Sequence, residues 1–209
     1  PSISGNQLWK SNGTSAGTTM VTSLGSSGSN MNLWESIVMG SKFYFPANGN
    51  SGNELYASDG TAAGTVLVKD INPSGSSNIR MLVSRENLGS AYDRRPFRGR
   101  ILFFADDGTN GIELWSSDGT SAGTAMVKNI NPTGDAFSYS GDIRYFFTHY
   151  KLFLAADNGT HGAEFWETDG TTAGTVMIQD IWTGPASPAL DFFGVAESTN
   201  KFVFRANNG

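Results

Sequence analysis

One stretch recurs four times along this chain, and it leaves few architectures open. Residues 54–71 read ELYASDGTAAGTVLVKDI, residues 113–130 ELWSSDGTSAGTAMVKNI, and residues 164–181 EFWETDGTTAGTVMIQDI. A more divergent copy, QLWKSNGTSAGTTMVTSL, occupies residues 7–24. Repetition at a period near 50 residues builds a fold from equal units, each burying its apolar faces only against its neighbours.

The turn D-G-T-x-A-G-T marks the period. It starts at Asn12, Asp59, Asp118 and Asp169, at spacings of 47, 59 and 51 residues. From Asp169 through the chain end and on to position 12 is a further 52, so four periods fill the 209 residues. Apolar runs ending in polar glycine turns sit in phase with this marker: KFYFPANG (42–49), ILFFADDG (101–108), KLFLAADNG (151–159) and KFVFRANNG (201–209). The last of these finds its continuation only in GNQLW (5–9). The C-terminal half-unit is therefore expected to need the N-terminal one as its partner.

Each unit reads as four short strands. The first is variable. The second is apolar at three successive positions, as in Phe43-Tyr44-Phe45 or Leu152-Phe153-Leu154, which predicts a strand covered on both faces. The third is E-L-W-x-S and the fourth T-V-L-V-K-D-I. The expected fold is all-β: a β-propeller of four blades, each of four antiparallel strands, with the last blade closed by the N-terminal strands. It forms one domain over 1–209, with units at approximately 25–71, 72–130, 131–181, and 182–209 plus 1–24. Four blades follow unless the chain is cut from a longer array or rings close between chains. The absence of a 3.6-residue period excludes a helical solenoid. A stacked β-solenoid is the main rival, though its coils are usually shorter.

Composition narrows the function classes. Apolar residues make up 38% of the chain, enough for a core, and 26 glycines suit many tight turns. A net charge of −5 argues against a dedicated nucleic-acid binder. No apolar run approaches the roughly 18 residues of a membrane span. Without cysteine there are no disulfides, thiolate metal sites or cysteine nucleophiles. The start at Pro1, with no leader pattern, is expected of a processed product or an excised domain.

E-L-W-x-S-D-G-T-x-A-G-T followed by V-K-D-I resembles the ELWxxDGTxxGT repeat of large bacterial cell-surface and secreted proteins. The resemblance covers all four units. It implies an extracellular, propeller-like array and an extracellular or cell-surface location. The first unit departs from it, with Gln7 for Glu, Asn12 for Asp and Thr22-Ser23 for Lys-Asp.

Read physically, the motif is scaffold. Asn12, Asp59, Asp118 and Asp169 are expected to pin their turns by accepting backbone N–H bonds two residues on. The glycines that follow them suit a backbone conformation costly to other residues. Trp9, Tyr56, Trp115 and Trp166 share one position and are expected to pack between blades, a sugar platform being the sharper alternative. Glu54, Glu113 and Glu164 are expected in backbone or turn interactions rather than catalysis. No G-x-S-x-G, HExxH or P-loop is present, and neither His149 nor His161 has a partner at metal spacing. The chain is read as not an enzyme and as needing no cofactor. Calcium is weighed at Asp106, Asp107 and Asp157, where ADDGTNG and AADNGTHG offer hard oxygen donors, ordinary polar turns being the default.

The functional expectation falls where the repeat breaks. The second unit carries an insertion, SRENLGSAYDRRPFRGR (84–100), holding Arg85, Arg94, Arg95, Arg98 and Arg100, five of the eight arginines. Tyr92 and Phe97 are interleaved with them. Arginine with aromatics suits carboxylate, sulfate or phosphate groups, on an acidic glycan or a neighbouring protein; a solvated or locally salt-bridged loop is the bland alternative. Trp182, in DIWTGPASP, is a lone candidate for sugar stacking. The expectation is a non-enzymatic extracellular binding or adhesion module contacting a glycan or extracellular protein through its non-repeated loops. A structural subunit of a surface layer or filament, binding copies of itself, is the alternative, and a carbohydrate-active hydrolase or lyase is the weakest reading.

Overall fold

Glycine-bearing turns cut the apolar runs into hairpins, and the hairpins set the topology. The computed structural model describes residues 7–24, 31–82, 84–85, 94–138, 145–148, 150–185, 190–196 and 201–207. Strands β1 (Gln7–Lys10) and β2 (Thr19–Ser23) form a two-stranded sheet. Then β3 (Ile37–Met39), β4 (Lys42–Gly49), β5 (Gly52–Ser58) and β6 (Val66–Lys69) make a four-stranded sheet in that order. Strand β7 (Arg80–Leu82) is followed by the short β8 (Ser84–Arg85) and β9 (Arg94–Arg95), which pair only with each other. With β10 (Ile101–Asp106), β11 (Ile112–Ser117) and β12 (Ala125–Lys128), β7 completes a second four-stranded sheet, ordered β7-β10-β11-β12.

A third such sheet holds β13 (Tyr145–Phe147), β14 (Leu152–Asp157), β15 (Ala163–Thr168) and β16 (Val176–Gln179). Strands β17 (Asp191–Ala196) and β18 (Lys201–Arg205) form a last two-stranded sheet. The fold is thus all-β and antiparallel, and among the described residues the helical content is one 3-10 turn, Leu33–Glu35. No helix of the described residues is long and apolar enough to cross a membrane.

Three of the four expected units are four-stranded sheets. The strands of the fourth lie in two two-stranded sheets, β1–β2 and β17–β18. The N-terminal hairpin nonetheless keeps the internal geometry of a third-and-fourth-strand pair. Leu8 faces Thr22 and Trp9 faces Met20 across a bulge, as Leu55 faces Lys69 and Tyr56 faces Leu67, and as Phe165 faces Gln179 and Trp166 faces Met177. The bulge recurs because the same residue pattern supplies one extra position on the fourth strand each time.

The chain forms two compact units, Pro1–Gly108 with Ser116–Ala125, and Thr109–Trp115 with Met126–Gly209. In the first, Met31, Phe45, Ala47 and Tyr56 form a core cluster against which Leu8, Leu24 and Leu67 pack. In the second, Phe153, Phe165 and Leu190 are packed by Phe146, Ile181 and Phe204. Rings there stack in series, Phe146 on Phe153 at 4.9 Å, Phe153 on Phe165 at 5.7 Å and Phe165 on Phe204 at 5.0 Å. In the three four-stranded sheets the apolar runs are covered on both faces past their first residue: Phe45, Phe103 and Leu154 have no exposed surface, and Tyr44, Leu102 and Phe153 little, although Phe43 is 52% exposed. The fourth run departs from the expected coverage, Val203 being 70% exposed.

Candidate functional site

The repeated motif turns inward. Glu54, Glu113 and Glu164 are fully buried, and each accepts backbone N–H bonds from the segment leaving its own unit's fourth strand. Glu54 receives Ile71 N at 3.0 Å, Ser77 N at 3.0 Å and Ser77 Oγ at 2.8 Å. Glu113 receives Ile130 N and Asn131 N, both at 2.8 Å. Glu164 receives Ile181 N at 2.8 Å and Trp182 N at 3.4 Å. A buried carboxylate that spends its lone pairs on orphan amides is holding a linker in place, not waiting for a substrate. Burial pushes the Glu54 carboxyl above its ordinary range, with nearby Asp70 adding to the rise, although the Ile71 and Ser77 donors oppose it.

The D-G-T turns repeat one hydrogen-bond set. Asp59 Oδ1 accepts from Thr61 N at 2.9 Å and Thr61 Oγ1 at 2.7 Å, Gly64 N donates to Thr61 Oγ1, and Thr65 Oγ1 donates to Thr61 O. Asp118 and Asp169 do the same, and Asn12 does it with its amide oxygen. The bonds from Thr61 and Thr120 lower the Asp59 and Asp118 carboxyls. The first glycine of the turn has φ between 83° and 88° at all four sites, a region that favours glycine.

The second glycine has a different reason, which sequence reading missed. A Cβ on Gly17, Gly64, Gly123 or Gly174 would overlap the side chain of Asn12, Asp59, Asp118 or Asp169, respectively. Gly123→Ala is expected to cost about 1–3 kcal/mol as an overpacking change. In an Asp118→Ala background the same substitution should cost at least about 1 kcal/mol less, because the overlapping group is gone. Denaturant titration of the four proteins of this cycle decides it; additive losses would disprove the contact.

The motif aromatics divide. Tyr56, Trp115 and Trp166 are 6–7% exposed and so are core, whereas Trp9 is 56% exposed. The sugar-platform alternative therefore fails for the three buried rings. Their lysine neighbours tie successive units together: Lys69 Nζ donates to Thr124 O and Lys128 Nζ to Thr175 O, both at 2.7 Å. Lys128 Nζ also lies 5.7 Å from the Trp166 ring centroid. At the position after this lysine, side-chain oxygens of Ser23, Asp70, Asn129 and Asp180 are all buried with no partner among the described residues.

The arginine-rich insertion is a two-stranded ribbon at its base. Arg85 stands directly opposite Arg94, and Ser84 opposite Arg95. Beyond β9, Phe97 and Arg100 form an isolated bridge closed by Arg100 N donating to Phe97 O at 3.0 Å. The two residues between them have positive φ, 53° at Arg98 and 76° at Gly99, the pattern of a type I′ turn. An arginine in the left-handed region is costly by about 1–2 kcal/mol. Arg98 is exposed at this turn.

Two members of the expected binding set belong to the scaffold instead. Phe97 is buried, because the turn folds its ring inward. The Arg100 guanidinium is engaged by Ser116 Oγ, at 3.2 and 3.1 Å, and by Gly123 O at 2.6 Å, so it braces the third strand and its turn. Tyr92 lies outside the described residues, as does His149. Trp182 is half-buried, and its backbone N–H is held by Glu164. The more open indole is that of Trp34, 75% exposed on the 3-10 turn. The adjacent Glu35 pairs with Arg80 and accepts Met81 N.

The weighed calcium donors act locally. Asp106 Oδ1 accepts Gly108 N and Asp157 Oδ1 accepts Gly159 N, each at 2.7 Å, so both close their own hairpin turns. Asp107 follows Asp106 at the same turn. Among the described residues no three His, Asp or Glu side chains converge as metal donors. His161 Nε2 is 3.9 Å from Asp180 Oδ2, and its ring also meets Asn158.

No family model matches the chain, and neither a curated protein nor a solved structure matches it.

Proposed function

We propose that the chain is a non-enzymatic binding module of the extracellular space or cell surface that takes an acidic polysaccharide on the β8–β9 ribbon. The observation that carries this reading is the register placing Arg85 directly opposite Arg94. Like charges directly opposite on a ribbon are destabilising, and they are offset when a carboxylate or sulfate group spans both guanidinium forks. The strained Arg98 on the neighbouring exposed turn supports it, since backbone strain is kept where the side chain has work to do. The chain as a whole carries a net charge of −5, so the arginine-rich ribbon is a local exception in an acidic protein.

The scaffold presenting this ribbon is read as a four-bladed β-propeller whose last blade joins β17–β18 to β1–β2, with β18 beside β1. The shared register and bulge of β1–β2 with the third-and-fourth-strand pairs support that reading, as does the sequence resemblance to extracellular repeat proteins.

Binding to immobilised sulfated and uronic-acid polysaccharides, with dextran as the neutral control, tests the site. Arg85→Glu/Arg94→Glu should lose at least about tenfold in affinity, from removal of two charge-assisted contacts of roughly 1.5 kcal/mol or more each. Arg98→Gly should weaken binding while raising stability by about 1 kcal/mol through relief of the positive φ. Affinity unchanged in the double variant, or equal binding to dextran, would end the reading.

A further inference from the structure

We propose that β1–β2 is an exchangeable hairpin: β18 of one copy takes β1 of a second copy, in the register that joins second and third strands elsewhere in the chain. The proposal rests on the ring reading above, since it uses the same strand ladder, formed between copies rather than within one.

Strand β18 stands at the edge of its sheet, and so does β1. An edge strand is a template for another strand of matching pattern. The ladder that fits is already made twice in this chain. Phe45 faces Tyr56 and Tyr44 faces Ala57 between β4 and β5, while Leu154 faces Trp166 and Phe153 faces Glu167 between β14 and β15. Carried to the fourth unit by the repeat, that register sets Phe204 opposite Trp9 and Val203 opposite Lys10. Apolar surface is exposed on both sides of this ladder, at Trp9 (56%) and Val203 (70%). Phe204 and Trp9 are of the types buried opposite each other elsewhere, Phe45 with Tyr56 and Leu154 with Trp166. A second copy is thus the occupant whose pattern meets both edges.

The hairpin also lacks, in its sequence, the glutamate and the lysine that staple the other units, Gln7 and Thr22 standing in their places. Where Glu54, Glu113 and Glu164 hold linker amides, Gln7 Oε1 accepts from its own neighbour's Trp9 Nε1 at 3.2 Å. Where Lys69 and Lys128 reach the next turn, Gln179 Nε2 donates to Asp180 O, beside it in the chain. The same position in the N-terminal copy is Thr22, whose hydroxyl reaches only Ser23 O, at 3.5 Å. Ile178, at the place of the buried Val68 and Val127, is 41% exposed. The departures at Gln7, Thr22 and Gln179 thus remove the stapling groups at the two junctions that flank β1–β2, and a hairpin without those groups exchanges at lower cost.

The absence of native cysteine makes the test direct. Lys10 and Val203 are both exposed, so Lys10→Cys and Val203→Cys leave the core untouched. Directly opposite residues of an antiparallel pair place their Cβ atoms within reach of a disulfide. The two single variants, mixed and oxidised, should give a disulfide-linked heterodimer that forms more at higher protein concentration. The link should be lost when Arg205→Cys, two positions along and off this register, replaces Val203→Cys. The double variant Lys10→Cys/Val203→Cys reports the ring separately, through a link within one chain at high dilution. No heterodimer from the mixture, or one formed equally with Arg205→Cys, overturns exchange. A link within the double variant then leaves the ring reading standing, and its absence removes that too.

Discussion

Replacing Glu54 with alanine is expected to cost about 1–3 kcal/mol. The substitution strands Ile71 N, which donates to this fully buried carboxylate, and takes one of two acceptors from Ser77 N and Ser77 Oγ, both of which also donate to Asn53 O. Each buried donor left without an acceptor costs about 1–3 kcal/mol, and removal of a desolvated carboxylate offsets part of the sum. Guanidinium unfolding of the alanine variant measures the loss directly. A loss below about 1 kcal/mol at Glu54 would mean that its linker finds other acceptors.

The same residue carries a signed pH dependence. Burial raises the Glu54 pKa above its unfolded value, so its contribution is fully present below the unfolded pKa and is lost as pH rises through the folded one. Asp59 and Asp118 run the other way. Their threonine donors lower the folded pKa, so their contribution is present above the unfolded pKa and lost as pH falls through the folded one. Glu54→Ala removes the term that strengthens on acidification and leaves those that weaken. The variant's deficit relative to the parent should therefore widen as pH drops through the carboxylate range. A deficit that narrows there would contradict the assignment.

Trp166→Ala should cost about 3–5 kcal/mol, the range for truncating a large core aromatic. The ring is 6% exposed and lies under Lys128 Nζ, whose contact with it would also go. Trp166→Phe should cost much less. The indole Nε1 is buried without a hydrogen-bond partner among the described residues, so phenylalanine removes an unpaired donor along with some volume. Thermal denaturation of the two variants tests the pair of claims; equal losses would show that Nε1 is bonded and that the indole is held for its polarity.

These two positions mark what was legible in the sequence. The 3-residue apolar runs, the spacing of the D-G-T turns and the single aromatic position announced strands covered on both faces; in the three four-stranded sheets most side chains of the second and third strands are buried accordingly, whereas Trp9 and Val203 of the two-stranded sheets are exposed. The Asx role of Asp59 and its equivalents was legible too, because a side chain reaching its own backbone two residues on is a local event. The second glycine was harder. Its reason is steric contact with a side chain five positions earlier, which depends on how the whole turn closes. The candidate binding set was legible as a charge anomaly but not as a list. Phe97 and Arg100 look like ligand residues in one dimension, yet one turn buries the first and points the second at Ser116 and Gly123.

By itself the sequence determined the repeat, the all-β class and the turns, since these follow from periodicity and from bonds spanning a few residues. Only the tertiary structure decided which copies of one motif are equivalent. Glu54 and Gln7, Lys128 and Gln179, Trp166 and Trp9 occupy matching places in the repeat, but whether each is stapled or exposed depends on what the neighbouring segment presents. Burial and hydrogen-bond satisfaction belong to pairs of distant residues, and no single copy of the motif carries that information.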